Sequence, residues 1–323
     1  MTRGGADPAA GEPPAPWICL VLFGGTAIAL VLLEATEHPY YVKLLNRALV
    51  LGLAALALDL VVGVAGLVSL GHAAFLGVGA YAVGIMAEHG LTSGFLQWPV
   101  ALVASAAVAA VIGGLSLRTR GVHFIMITLA FAQMLFFVAN SLSRYGGDDG
   151  LTIWTRSEFG ELVSLRDRLG LAWISLGILT LAYLGLRRLE RSRFGRVLRG
   201  ARDNERRVAA LGFAVERYRL AAFVLSGTLT GLAGVLLANL TDFVSPAYLS
   251  WQRSGELLAM VVLGGLGTLQ GAILGAFAFV LLEEALSSLT THWALLFGPL
   301  LVLVVLAGRG GLVGLLAWRW GRK

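Results

Sequence analysis

Charge is scarce in this chain of 323 residues. Asp, Glu, Lys and Arg together make up 14% of it, where a soluble protein carries about a quarter. Lysine is nearly absent: Lys43 and Lys323 are the two present. Neither stands in a Gly-x4-Gly-Lys-Ser/Thr loop, which needs its lysine to reach the phosphates of a nucleotide. ATP hydrolysis by that route is therefore excluded for this chain. Cys19 is the single cysteine, so no disulfide can form within the chain. No His/Cys cluster has zinc spacing, and no Gly-x-Ser-x-Gly turn is present to carry a nucleophile. Asp148-Asp149 is the nearest thing to a metal pair, but it sits in a Gly-rich stretch without partner ligands and reads as a solvated turn. We assign no catalytic residue and no metal ligand, and set an integral-membrane enzyme aside.

Apolar residues fill the space left by charge. The hydrophobic fraction is 57%, mean hydropathy is +0.80, and glycine alone supplies 42 residues. Several apolar runs reach or approach the roughly 20 residues that cross a bilayer as helix. A membrane β-barrel would show short alternating segments instead. The expected fold is an all-α polytopic membrane protein, its helices brought close by small residues. Membrane lipid is the first partner implied. The net charge of +6 reads as cations held on the cytoplasmic side, not as a nucleic-acid surface.

Residues 1–16 are rich in Pro, Gly and Ala and are expected to be a disordered tail. The run from Trp17 lacks a basic flank and a cleavage site, so it reads as a retained span. A permease domain covers 17–308 and a basic tail 309–323. The candidate spans are 17–33, 43–64, 67–88, 96–117, 121–140, 171–187, 217–239, 255–265, 268–288 and 294–308. The eighth is about 16 Å long at 1.5 Å per residue, half a bilayer. It ends in Gly264-Gly265-Leu266-Gly267, which breaks a helix. Such backbone is tolerated at depth only where protein or a watery cavity covers it. These segments give about ten crossings, one of them a short broken half-helix.

Cation counts test that topology. With both termini inside, the cytoplasmic side carries 18 of the 25 Lys and Arg residues and the other side seven, as the positive-inside rule asks. The loop 141–170 is then external and nearly balanced in sign. Gly66-Leu67-Val68-Ser69-Leu70 and Gly265-Leu266-Gly267-Thr268-Leu269 share a pattern that suggests two internal repeats, as in many transporters. Coincidence is the alternative.

Few ionisable groups lie within the spans, and charge there is costly and usually functional. Asp59, deep in the second span, either lines a pathway or is hydrogen-bonded between helices. His72 either packs and caps or faces the pathway. Glu256 opens the half-helix, where the dipole favours an acid; it too is a pathway candidate, with Gly264, Gly265 and Gly267.

The densest local signal is Arg187–Arg219, where eleven of 33 residues are arginine. Ser192-Arg193-Phe194-Gly195-Arg196 reads as a break. Val197–Leu211 then reads as an amphipathic helix, with Val197, Leu198, Ala201, Val208 and Leu211 on one stripe. Gly212 ends it. Two readings stay open: an interfacial helix on anionic lipid, or a peg that fits a cleft on a soluble partner.

Four stretches carry a resemblance. These are GLVSLGHAAFLGVGAYAVG; RTRGVHFIMITLAFAQMLFFVAN with GGDDGL; SRFGRVLRGARDNERRVAALGFAVERYRLAAFVLSGTLTGLAGVL; and ELLAMVVLGGLGTLQGAILGA. In this order, over about residues 45–310, they resemble the M-type membrane permease of branched-chain amino acid ABC importers. The resemblance implies a second homologous permease, two cytoplasmic ATP-binding subunits that use ATP and Mg, and a soluble substrate-binding protein outside the membrane. This chain would bind no cofactor. The cytoplasmic coupling loop would be 188–216, with Phe194, Gly195, Arg196, Arg199, Asn204, Glu205, Ala210 and Gly212 matching the family's loop. Related permeases serve urea, amides and aromatic acids. A stand-alone ion-coupled transporter is the rival of a different class. The family usually carries Asn where this chain has Asp59. The location implied is the bacterial inner membrane.

Overall fold

A computed structural model describes residues 16–36, 39–159, 167–290, 292–307 and 310–314. The N-terminal tail, most of the C-terminal tail and the tip of the 141–170 loop lie outside the described residues.

The chain is a helical bundle. Its elements are α1 Pro16–Thr36, α2 Pro39–Asp59 continued by a π turn Leu60–Val64, α3 His72–Glu88, α4 Gly94–Ser116, and α5 Val122–Ser141. Then follow α6 Arg168–Arg191, α7 Arg193–Ala210, α8 Val215–Thr241, α9 Trp251–Gly264, α10 Leu269–Leu289 and α11 Trp293–Ala307. Among the described residues, six helical segments, starting at Pro39, Gly94, Val122, Leu169, Val215 and Leu269, are long and apolar enough to cross a membrane. This is an all-α polytopic membrane protein.

Helix α2 is the axis of the bundle. Every residue from Ala48 to Asp59 is buried, as expected of a helix apolar on all sides. It packs against α6, α8 and α10. Small residues seat α8 between α3 and α4. A Cβ on Gly231 would strike the Ser105 side chain of α4 and the Phe75 carbonyl of α3 lies just beyond, while one on Gly234 would strike the Leu76 carbonyl. In lipid such close approach supplies the packing that hydrophobicity cannot.

Two boundaries depart from expectation. The third span does not start at residue 67: 65–71 is irregular, and α3 begins only at His72. The half-helix starts four residues earlier than 255, because Ser250 caps it by accepting from the Arg253 N–H at 3.4 Å. Glu256 therefore sits in the second turn of α9 and does not open it. At 14 residues α9 is about 21 Å long, still short of a bilayer.

The chain reaches α9 by folding back. Phe243–Val244 pairs antiparallel with Leu151–Thr152 of the long loop, with Leu151 opposite Val244. Chain 244–249 then descends beside α3: a Cβ on Gly84 would meet Val244 at 3.2 Å, and Gly77 abuts Leu249. The corner at the end of α8 is held by Arg156, which donates to both oxygens of Asp242 at 2.6 and 2.7 Å. The Asp242 carboxylate raises the Arg156 guanidinium above its usual pKa, against the opposing effect of burial. At this same end of the bundle, Arg47 of α2 forks onto Glu283 of α10 at 2.9 and 2.8 Å.

Candidate functional site: the arginine-rich helix and the glycine junction beneath it

The corner between α6 and α7 is one residue wide. Ser192 donates to the Leu189 carbonyl at 2.6 Å and accepts from the Phe194 N–H at 3.2 Å, so it closes one helix and caps the next. The break expected over 192–196 is thus confined to Ser192. Gly195 is buried, and a Cβ there would strike the Glu190 carbonyl. Arg199 reaches back over the corner to the same carbonyl at 2.8 Å and to the Glu190 carboxylate at 3.0 Å. Phe194 packs on Tyr218 of α8, with ring centroids 5.5 Å apart.

Val197, Leu198, Ala201 and Val208 are buried as the stripe predicts, but Leu211 is 71% exposed. Two features explain the difference. Asn204 leaves helical geometry (φ −155°, ψ 93°) and resets the phase of the helix. Its Oδ1 accepts from the Arg207 N–H at 3.0 Å, capping the second half. The helix then ends in a Schellman turn, with Gly212 N–H on the Ala209 carbonyl at 2.9 Å and Phe213 N–H on the Val208 carbonyl at 3.4 Å. Gly212 needs its positive φ of 89° for that turn. The outcome is a knob with Ala210, Leu211 and Gly212 exposed at its tip and exposed Arg196, Arg206 and Arg207 along its flank.

Glu205 pins the knob. It accepts from Arg120, in the α4–α5 turn, at 2.8 Å and from Arg219 of α8 at 2.9 Å. The α4–α5 turn therefore shares one end of the bundle with α7, as the positive-inside count requires.

Under α7 lies a junction that the sequence did not disclose. Arg202 donates to the carbonyl of Gly63 within the π turn of α2. Its stem covers Gly66, where a Cβ would meet Cγ at 2.7 Å. The backbone of Gly267 packs on Gly63, and a Cβ at Gly63 would fall 2.5 Å from the Gly267 Cα. Asp59 is fully buried, and its Oδ1 accepts from the Gly267 N–H at 2.8 Å. Gly265 and Gly267 hold φ of 120° and 77°, left-handed space that glycine enters freely. Of the pathway candidates, the structure thus brings together Asp59, Gly265 and Gly267, with Gly264 packed on the Gly271 backbone of α10 next to them.

His72 and Glu256 stand elsewhere. His72 is buried at the start of α3, ringed by Phe75 and Phe223, each at 5.4 Å. Two serines bracket its ring. Ser226 donates to the Ala57 carbonyl at 2.5 Å, so its oxygen accepts from His72 Nε2–H at 2.9 Å. Ser69 accepts from the Gly71 N–H at 3.3 Å and is hydrogen-bonded to Nδ1 at 3.0 Å. His72 so placed lies in a hydrogen-bonded chain that joins α2, α3 and α8. Glu256 pairs with Arg253 at 2.5 Å on α9. An apolar groove of about 360 Å³ between α1, α2 and α10, walled by Leu32, Leu45, Phe277 and others, lies away from both clusters.

The sequence reading missed Arg202, Gly63, Ser226 and Arg253. Nothing local marks Arg202 among eleven arginines. Gly63 was one glycine among 42.

A profile described as "Branched-chain amino acid transport system / permease component" matches residues 40–306. The chain is 30% identical over 282 residues to the high-affinity branched-chain amino acid transport system permease protein LivM of Salmonella typhimurium, and equally to that of Escherichia coli K12. Each alignment covers 80% of this chain and 66% of the relative. It is 24% identical to LivH of Escherichia coli K12 over 86% of this chain and 97% of that one. No solved structure matches significantly.

Proposed function

We propose, for a chain that belongs to the branched-chain amino acid transport permease family, that it is the membrane-spanning subunit of an ATP-driven importer and that α7 is where the motor engages. The chain itself is not the enzyme. Two ATP-binding subunits, using ATP and Mg, would dock on the α7 end. A second homologous permease would complete the passage, as the similarity to both LivM and LivH suggests. A soluble binding protein would deliver substrate to the opposite end, where the 141–159 loop and the Arg156–Asp242 corner lie. The cargo proposed is branched-chain or other hydrophobic amino acids. A relative named as an autoinducer 2 import system permease protein, 29% identical over 65% of this chain, keeps other cargoes open within the same class.

One observation carries the coupling reading: the α7 knob exposes Leu211 and Arg196 outward while Arg202, on its other flank, grips the π turn of α2. Movement pressed on the knob would be passed directly to the axis helix. This fits a peg better than a lipid-bound helix, whose apolar face would be turned to the membrane rather than against Val215 and Tyr218. The topology that accompanies it is about ten crossings, counting α3 and α9 as partial ones, with both termini cytoplasmic in a bacterial inner membrane.

The deciding experiment is reconstitution in liposomes. ATP-dependent uptake that requires the partner subunits is expected. Uptake by this chain alone under an ion gradient would overturn the proposal. Arg196→Glu should release the ATP-binding subunits on co-purification. It is a cleaner probe than Arg199, whose reversal would also break the Glu190 corner.

A further inference from the structure

A charged pair stands on α9 at a depth that α8 allows to be read. Depth can be read from α8, whose apolar stretch runs from Leu220 to Leu240. Ser226 lies six residues into that stretch, about 9 Å along the axis at 1.5 Å per residue. His72 binds Ser226 at 2.9 Å, and the next residue, Ala73, donates its N–H to Ser254 at 3.0 Å. The first turn of α9 is therefore at hydrocarbon depth. There Arg253 donates to Glu256 at 2.5 Å, and their side chains are 23% and 34% exposed. Gln252 and Trp251 beside them are exposed as well. Between the two charges sits Gly255, where an added Cβ would meet nothing within 4 Å.

Charges at this depth are costly and face a partner or a watery cavity, not lipid. An ion pair is also no cheap source of stability, since desolvation offsets the attraction. A pair that is partly exposed, at depth, and flanked by open space is arranged for a ligand.

We propose that Arg253 and Glu256 form a head-group subsite in the passage that receives zwitterions: Arg253 for a carboxylate, Glu256 for an ammonium group. The inference rests on the permease reading above. The chemistry supports it. A guanidinium matches a carboxylate by paired N–H donors, and a carboxylate accepts from an ammonium. The α-carboxylate and α-ammonium of an amino acid are adjacent, as the Arg253 and Glu256 groups are. The apolar side chain of the cargo would project over Gly255. In the unloaded chain the two side chains satisfy each other, and a zwitterion replaces that pairing with two of equal kind.

The test uses the whole reconstituted importer with leucine and a neutral aliphatic amide as probes. Arg253→Met/Glu256→Leu removes both charges and leaves none unpaired, so the complex should assemble. Expected is a fall of tenfold or more in maximum leucine uptake, with half-saturation, set by the binding protein, unchanged. A swap, Arg253→Glu/Glu256→Arg, restores an ion pair with its polarity reversed, and uptake should stay low. Uptake near wild type in the double-neutral variant would overturn the inference. So would full recovery in the swap, or loss of assembly in both, each of which marks a structural pair. Wild type that imports the amide but no zwitterion sinks the subsite alone. Wild type inert to every probe under ATP sinks the permease reading, and the subsite with it.

Discussion

The Asp59 carboxylate holds the backbone N–H of Gly267 at 2.8 Å across 208 residues of sequence. It ties the end of the axis helix to the turn that ends α9, beside the Gly63 carbonyl taken by Arg202. The buried carboxylate accepts this backbone hydrogen bond through one of its two oxygens. The residue expected from the family, Asn, could accept the same bond.

Asp59→Asn should therefore be mild, within about 1 kcal/mol, since an amide oxygen can replace Oδ1. Asp59→Leu should cost about 1–3 kcal/mol by leaving the Gly267 N–H unsatisfied. Thermal unfolding of the purified protein in detergent distinguishes the two. Equal loss for both would show that charge, not the acceptor, matters there.

Arg202→Met should separate the motor from the passage. The variant keeps most of the stem that covers Gly66 but loses the bond to the Gly63 carbonyl. ATP consumed per substrate imported is expected to rise several-fold while the ATP-binding subunits still co-purify. An unchanged ratio would remove Arg202 from the transmission path.

Asn204→Ala should destabilise the tip of α7 by about 0.5–2 kcal/mol, the usual cost of a lost N-cap. Asn204→Asp should be tolerated because it keeps the acceptor for the Arg207 N–H. Hydrogen exchange at residues 207–212 reads this directly: faster for Ala, unaltered for Asp.

Gly231→Ala should overpack the α4–α8 contact, since the new Cβ would lie 2.5 Å from the Ser105 Cβ. A loss of about 1–3 kcal/mol is expected. Gly114, with nothing within 4 Å of an added Cβ, should accept alanine with no loss. Detergent melting of the two side by side makes Gly114→Ala the internal control.

Arg156→Ala should loosen the corner at the end of α8, because it breaks a two-bond fork that is 15% exposed on the arginine side. About 1.5–3 kcal/mol is the scale of hydrogen bonds to charged groups, reduced here because Asp242 is 42% exposed. Asp242→Asn should cost less, as Asn also tolerates the left-handed φ of 55° found there. Limited proteolysis near residues 150–159 is the sensitive readout.

The sequence by itself determined that this chain is a helical membrane protein and where most helices run. In lipid every backbone polar group must be satisfied internally, so an apolar run of sufficient length has one solution. It also determined the amphipathic basic helix, the glycine that ends it and the family. These are local signals, carried by residues within a turn or two of one another. The tertiary structure decided what they touch. That Arg202, of eleven arginines, reaches Gly63 depends on a contact spanning 139 residues. That His72, at the start of α3, meets Ser226 depends on a contact spanning 154 residues. The early start of α9 had a local cap in Ser250, but nothing nearby in sequence disclosed its depth. Only the Ala73–Ser254 bond, across 181 residues, set the start of α9, with Arg253 and Glu256, beside the start of α3. Such pairings have no periodicity to read. They arise when the bundle closes and each buried donor takes the acceptor that packing has left beside it.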